Sequence, residues 1–170
     1  MLLVRHGETD WNADGRLQGQ TDRPLSDFGR GQARRLAGEL ENEAIEAIYS
    51  SDLARARETA EIVGERLGLP VVLEPDLREK NWGTWEGLTA VERDRVEFVG
   101  ESTEAHQHRI LRALRRIGDA HAGSGCVLVV THGGSMRRVQ TAALGMALPV
   151  VDNCGRWLCA YENGSFRALD

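Results

Sequence analysis

The sequence predicts an α/β protein, a three-layer α/β/α sandwich around a mostly parallel central sheet, formed as one domain over residues 1–170. Three observations lead there. Short apolar runs alternate with helical patterns along the chain, the order produced when crossover helices join parallel strands. The run Cys126 to Val130 is apolar at every residue, as a strand buried on both faces requires. The 170 residues carry no internal repeat, low-complexity segment or linker, and that length suits a single core.

The elements follow in order. Met1 to Val4 is an apolar run that stops at Arg5-His6-Gly7, a strand opening into a loop. Thr9 to Pro24 is polar and aperiodic. Ser26 can cap a helix whose Ala33, Leu36, Ala37 and Leu40 fall at i, i+3, i+4 and i+7. Ala47-Ile48-Tyr49 is a second strand, and Leu53, Ala56, Ala60, Val63 and Leu67 mark a second helix, stopped by Gly68 and Pro70. Val71-Val72-Leu73 is a third strand, leading into an irregular stretch with Trp82 and Trp85. Ile110, Leu114 and Ile117 give a helix that Gly123 and Gly125 break. After Cys126 to Val130 the chain turns at Thr131-His132-Gly133-Gly134 into a helix near Ser135. Val150-Val151 and Trp157 to Tyr161 read as closing strands, and Asn153-Cys154-Gly155, within the part from Leu148 onward, receives no function.

Composition narrows the class. The formal net charge of −5 argues against a nucleic-acid-binding surface. The apolar runs are too short to cross a bilayer, and the N-terminus lacks a signal-peptide pattern. Three cysteines without a CxxC spacing give neither a disulfide framework nor a zinc knuckle, which predicts a reducing, cytoplasmic setting. Nothing sets an oligomeric state. Lys80 is the only lysine beside twenty arginines. Genome composition accounts for most of that bias, yet arginine also grips phosphate oxygens with two parallel hydrogen bonds.

In a parallel α/β sheet the functional crevice lies beyond the carboxyl ends of the strands. Those ends carry Arg5 and His6, then Arg55 in the first turn of a helix, then Arg78-Glu79, then His132 before two glycines. Two imidazoles, at least two guanidinium groups and a carboxyl suit attack on a phosphomonoester. Neutral imidazole is a nucleophile near pH 7, cations neutralise the moving charge, and a carboxyl protonates the leaving oxygen and then deprotonates water.

These residues resemble a known family. Leu3-Val4-Arg5-His6-Gly7-Glu8-Thr9 with Trp11-Asn12 is similar to the signature of the histidine phosphatase superfamily, phosphoglycerate-mutase-like branch. Further matches follow in order: Leu25-Ser26 with Gly29 and Gln32-Ala33, Ser50-Ser51-Asp52-Leu53 with Arg55-Ala56 and Thr59-Ala60, Leu77-Arg78-Glu79 with Gly83 and Trp85-Glu86-Gly87, and Val130-Thr131-His132-Gly133-Gly134. The resemblance implies that His6 is the phosphorylated nucleophile, that Arg5, Arg55 and His132 form the phosphate site, and that Glu79 is the proton donor. It further implies phosphate contacts from Asn12, Gln18 and the Gly133 amide, with no metal and no cofactor. Glu86 stays open as a competing acid.

Other residues receive plainer readings. Arg78 is structural or solvated. Trp82 and Trp85 pack the loop, with Trp82 able to reach a substrate entrance. His106, His108 and His121 are read as surface residues, because an HxH pair on a helix points to different sides. The His-Gly-Gly-Ser run lacks any GxSxG elbow, which excludes a serine hydrolase.

Three functions then compete: a phosphomonoesterase, a cofactor-dependent phosphoglycerate mutase, and an inactive phospholigand-binding protein. The resemblance implies a long basic cover in mutases, whereas Gly87 to Val99 is brief and its only cations are Arg93 and Arg95. A short cover admits water. The expectation is a metal-independent phosphatase acting through a phosphohistidine on a small phosphorylated metabolite, with neither nucleic acid nor membrane as partner.

Overall fold

A computed structural model describes residues 1–123, 125–145 and 149–169. Its strands are β1 (Leu2–Arg5), β2 (Ile45–Ser50), β3 (Val71–Leu73), β4 (Cys126–Thr131), β5 (Arg156–Glu162) and β6 (Ser165–Ala168). The helices are α1 (Asp10–Ala13), α2 (Asp27–Glu39), α3 (Ala54–Leu67), α4 (Ala90–Arg93), α5 (Thr103–Ala120) and α6 (Gly133–Leu144). The sheet order is β3-β2-β4-β1-β5-β6. The first four of these run parallel, while β5 and β6 add an antiparallel edge.

Side-chain alternation divides the core into two layers. Leu2 and Val4 of β1, with Leu128 and Val130 of β4, face Leu36, Leu40, Ala56, Ala60 and Val63 of α2 and α3. Leu3, Val127 and Val129 face Ile110, Leu114 and Ile117 of α5 and Met136 and Val139 of α6. Strand β4 is central, and all its residues except Cys126 are buried. Every residue of such a strand meets a helix on one side or the other, hence the unbroken apolar run.

Local chemistry sets the helix ends. Ser26 Oγ accepts from Gly29 N at 3.0 Å and caps α2. Leu53 has no capping side chain, so Asp22 Oδ1 accepts from Ala54 N at 2.7 Å instead.

Three expectations are corrected. The polar stretch after Thr9 holds α1, closed by a capping box between Thr9 and Asn12. Val150 and Val151 form no strand, and the Val151 carbonyl instead accepts from Arg5 Nη1 at 2.8 Å. Strand β6 went unread although Asn163 and Gly164, with φ of 51° and 80°, supply the left-handed pair of a tight hairpin turn. Leu148 lies outside the described residues.

Candidate active site

Strands β1 and β4 are adjacent and parallel, yet their following helices lie on opposite faces of the sheet, α2 on one and α6 on the other. A crevice must open where the connections diverge. It is a cleft of about 280 Å³, and Arg5, His6, Asn12, Gln18, Arg55, Glu79 and Gly133 all line it. His132 lies directly beneath, fully buried.

His6 sits just past β1, 3% exposed. Its Nδ1 lies 2.7 Å from the Gly7 carbonyl oxygen. A carbonyl can only accept, so Nδ1 carries the proton and Nε2 keeps its lone pair. The turn behind it is tight: Gly7 N donates to Thr59 Oγ1 at 3.0 Å. A Cβ on Gly29 would lie 2.0 Å from the Glu8 carbonyl oxygen, so α2 reaches this loop only as glycine.

The His132 ring lies 5.1 Å from that of His6, at 60° between planes. Its Nε2 meets Ser51 Oγ at 2.9 Å, while its buried Nδ1 has no partner among the described residues. Ser51 Oγ already accepts from Leu53 N at 3.3 Å, which leaves its proton available to His132 Nε2. Burial, followed by the nearby Arg55 guanidinium, holds both imidazoles well below their ordinary range.

Arg55 is 1% exposed, and its Nη1 and Nη2 donate to the carbonyls of Thr21 (3.1 Å) and Gly19 (2.6 Å). Burial lowers it to about 10, still charged at neutral pH. The Nε atoms of both Arg55 and Arg5 are buried without a partner among the described residues. Buried donors normally find acceptors. Here two guanidinium Nε groups, on residues that line the cleft with His6, and one imidazole nitrogen beneath it are left without acceptors among the described residues.

The two candidate acids are used differently. Glu79 lines the cleft, its Oε2 accepting from Gly134 N at 2.9 Å and its Oε1 from Lys80 N at 2.8 Å. A Cβ on Gly134 would stand 2.5 Å from Glu79 Oε1, so the start of α6 admits this carboxyl only beside glycine. Glu86 faces away. Its two oxygens accept from the amides of Gln20, Thr21 and Trp82 and from the Thr21 hydroxyl, tying two loops together.

Asn12 Oδ1 accepts from Thr9 N and from Asn153 Nδ2, at 3.2 and 3.3 Å, which leaves its amide donors for the cleft. Gln18 Oε1 is buried and unpartnered among the described residues. Arg78 pairs with Asp52, Nε to Oδ1 at 2.7 Å.

Sequence reasoning missed three residues. His106 is buried rather than on the surface, with Nε2 3.0 Å from Ser135 Oγ and 3.7 Å from Glu79 Oε1. It sits on the face of α5 that carries Ile110, four residues on, a spacing that could have revealed it. His121 is half-buried, its Nε2 3.1 Å from Tyr49 Oη, and His108 is exposed. Asn153 donates from Nδ2 to the His6 carbonyl at 3.0 Å, in a segment given no function. Arg109 donates to the carbonyls of Asp76, Arg78 and Glu79 while pairing with Glu101, and so clamps the loop that presents Glu79. Short-range pattern carries no signal for such carbonyl contacts.

A family model described as histidine phosphatase superfamily (branch 1) matches residues 1–169. The chain belongs to this superfamily. It is 40% identical over 162 residues to the phosphoglycerate mutase-like protein 4 of Arabidopsis thaliana, covering 84% of this chain and 70% of that one. It is 38% identical over 158 residues to a metal-independent phosphoserine phosphatase of the same plant, covering 82% and 66%. A mycobacterial glucosyl-3-phosphoglycerate phosphatase, solved with VO3, superposes with a TM-score of 0.87 at 30% identity, over 98% of this chain and 94% of that one. The fold class and the family expected from the sequence are both borne out, and the chain is a histidine-type phosphatase in that sense.

Proposed function

We propose that the protein is a metal-independent phosphomonoesterase acting through a phosphohistidine on a small phosphorylated metabolite. The observation that carries this reading is the set of unpartnered buried donors, Arg5 Nε, Arg55 Nε and His132 Nδ1, on residues at the same cleft as an imidazole whose free nitrogen is Nε2. Three donors with nothing to donate to fit the equatorial oxygens of a phosphoryl group in transfer. The relatives named as phosphatases, one of them metal-independent, support it.

In the first step His6 Nε2 attacks phosphorus and the bond from phosphorus to the ester oxygen breaks. Glu79 gives its proton to the departing oxygen. In the second step the Glu79 carboxylate takes a proton from water as the oxygen attacks phosphorus. The N–P bond breaks, phosphate leaves, and neutral His6 and protonated Glu79 are restored. Ser51 donates to His132 Nε2, keeping Nδ1–H directed to the phosphoryl oxygens. Asn12, Gln18 and the Gly133 amide contribute further contacts to the bound ester. The three free cysteines fit a reducing, cytoplasmic setting.

The mutase-like relative makes the competing reading a cofactor-dependent phosphoglycerate mutase. Hydrolysis is favoured because Arg93 and Arg95, the only cations of the cover, do not line the cleft. The decisive experiment uses p-nitrophenyl phosphate with excess EDTA. Phosphate release is expected, together with an acid-labile phosphoenzyme that disappears in His6→Ala. Activity lost on chelation, or label retained in His6→Ala, would overturn the mechanism. Interconversion of 2- and 3-phosphoglycerate outpacing phosphate release would establish the mutase instead.

A further inference from the structure

One buried imidazole takes no part in the two-step chemistry. His106 is 2% exposed on α5, and every other buried residue of that helix is apolar or glycine. A polar ring in such a stripe costs stability unless it is hydrogen-bonded.

Its neighbours along α5 show what this side of the helix meets. Thr103, His106 and Arg109 follow at intervals of three, which sets them close together on the helix surface. Each reaches the segment Arg78-Glu79-Lys80. Thr103 Oγ1 accepts from Lys80 Nζ at 3.2 Å, and Arg109 donates to the Arg78 and Glu79 carbonyls at 2.8 and 3.1 Å. His106 Nε2 stands 3.7 Å from Glu79 Oε1 and 3.0 Å from Ser135 Oγ. Arg109 thus holds the backbone of Glu79, and His106 stands at its carboxyl.

Ser135 decides which nitrogen of His106 bears the proton. Its Oγ, fully buried in the first turn of α6, lies 3.4 Å from the Arg78 carbonyl. A carbonyl only accepts, and a hydroxyl has one proton to give. Both contacts are hydrogen bonds only when Ser135 donates to Arg78 and accepts from His106 Nε2–H. The reverse arrangement would also set the Nε2 lone pair beside the Glu79 carboxylate. Burial is the largest influence on the ring and lowers its pKa from the ordinary value. The Glu79 and Glu101 carboxylates oppose that, and the Arg109 and Arg138 guanidinium groups reinforce it. The ring is therefore neutral at pH 7, with its one proton on Nε2.

We propose that His106 is a positioning residue for the acid: its Nε2–H, anchored on Ser135, keeps Glu79 Oε1 an acceptor and leaves the transferable proton on Oε2. Oε1 meets the N–H groups of Lys80 and His106, whereas Oε2 meets that of Gly134 alone among the described residues. A carboxyl oxygen that bears a proton is the poorer acceptor, so the proton settles on the oxygen facing fewer donors. The proton given to the leaving oxygen in the first step, and regained from water in the second, is thereby kept on one atom. The inference rests on Glu79 as the proton donor.

Two aryl esters of nearly the same shape test it. p-Nitrophenolate leaves as a stable anion and needs little help from an acid, whereas phenolate needs much more. The ratio of kcat/KM for p-nitrophenyl phosphate to that for phenyl phosphate therefore reads the acid in the first step alone. Glu79→Gln should raise that ratio most. His106→Leu keeps the apolar stripe, removes the N–H and should raise it about tenfold. His106→Gln sets an amide nitrogen near the place of Nε2 and should restore the ratio. His106→Asn, whose amide reaches only the place of Nδ1, should not. Thermal denaturation checks each variant, and the Gln and Asn pair carries the comparison if the Leu variant does not fold. Equal losses on both esters in His106→Leu and His106→Asn would mark a merely structural ring and overturn the proposal, as would a ratio that stays raised in His106→Gln. The reading beneath it fails separately. A ratio unmoved by Glu79→Gln removes Glu79 as the acid, whereas a ratio raised by Glu79→Gln and flat in the His106 variants removes only the positioning role.

Discussion

The floor of the cleft and its cover are built on opposite rules. The floor, at the ends of β1, β2 and β4, is buried and leaves donors unanswered: Arg5 Nε, Arg55 Nε and His132 Nδ1. The cover is half-exposed and answers most of its donors within itself, Arg93 Nε excepted. Trp85 Nε1 donates to the Val96 carbonyl at 2.9 Å, Thr84 Oγ1 to the Glu97 carbonyl, and the Phe98 ring packs 4.8 Å from Trp85. Unanswered buried donors cost stability. Under the proposed function a bound phosphoryl group would complete those of the floor.

The sharpest test of that contrast is the pair of carboxyls, one in each region. Glu79→Gln should lower kcat by about 10²–10⁴-fold while leaving the thermal midpoint nearly in place. Glu86→Gln should do the reverse in kind, loosening the loops it joins at a cost of about 1–3 kcal/mol in stability. Steady-state kinetics with calorimetry on both variants decides it, and equal kinetic losses would erase the distinction.

Next comes pH. His6, His132 and His106 are held neutral chiefly by burial, so their folded pKa values lie below the unfolded value of roughly 6.5. Below that pH the unfolded chain binds protons that the folded chain refuses. Stability is therefore full above about pH 6.5 and lost as pH falls, by up to about 1.4 kcal/mol per unit per histidine until each folded pKa is reached. Urea midpoints measured from pH 7.5 to 5 should decline steadily. A flat profile would mean the imidazoles are not held neutral.

A smaller effect tests the clamp behind the floor. Arg109→Ala removes donors to three carbonyls and should cost about 2–4 kcal/mol, with kcat falling further than KM rises because the loop bearing Glu79 loosens. The smallest change lies in the cover. Phe98→Ala should alter KM a few-fold and the thermal midpoint by only a few degrees, since that ring packs on half-exposed neighbours. A large kcat loss in Phe98→Ala would make the cover part of the chemistry.

Much of this was legible in residue order. The two histidines and the arginine beside each strand end lie inside short motifs whose glycines and caps fix them locally. Glu79 over Glu86 rested on the resemblance alone, because the two lie on one irregular loop and local pattern does not say which lines the cleft. His106 was misread for a related reason: the HxH spacing was considered alone, without the apolar stripe that Ile110 shares with it. The hairpin β5–β6 went unread despite Asn163-Gly164, since its short second strand has little apolar pattern.

By itself the sequence determined the alternation of strands and helices, the buried central strand and the constellation at the strand ends, because periodicity and turn chemistry are local properties. The tertiary structure decided which carboxyl enters the cleft, which arginines stay unpaired and which carbonyls Arg109 gathers. Those outcomes depend on distances between segments far apart in the chain, and the packing of helices on both faces of the sheet sets them.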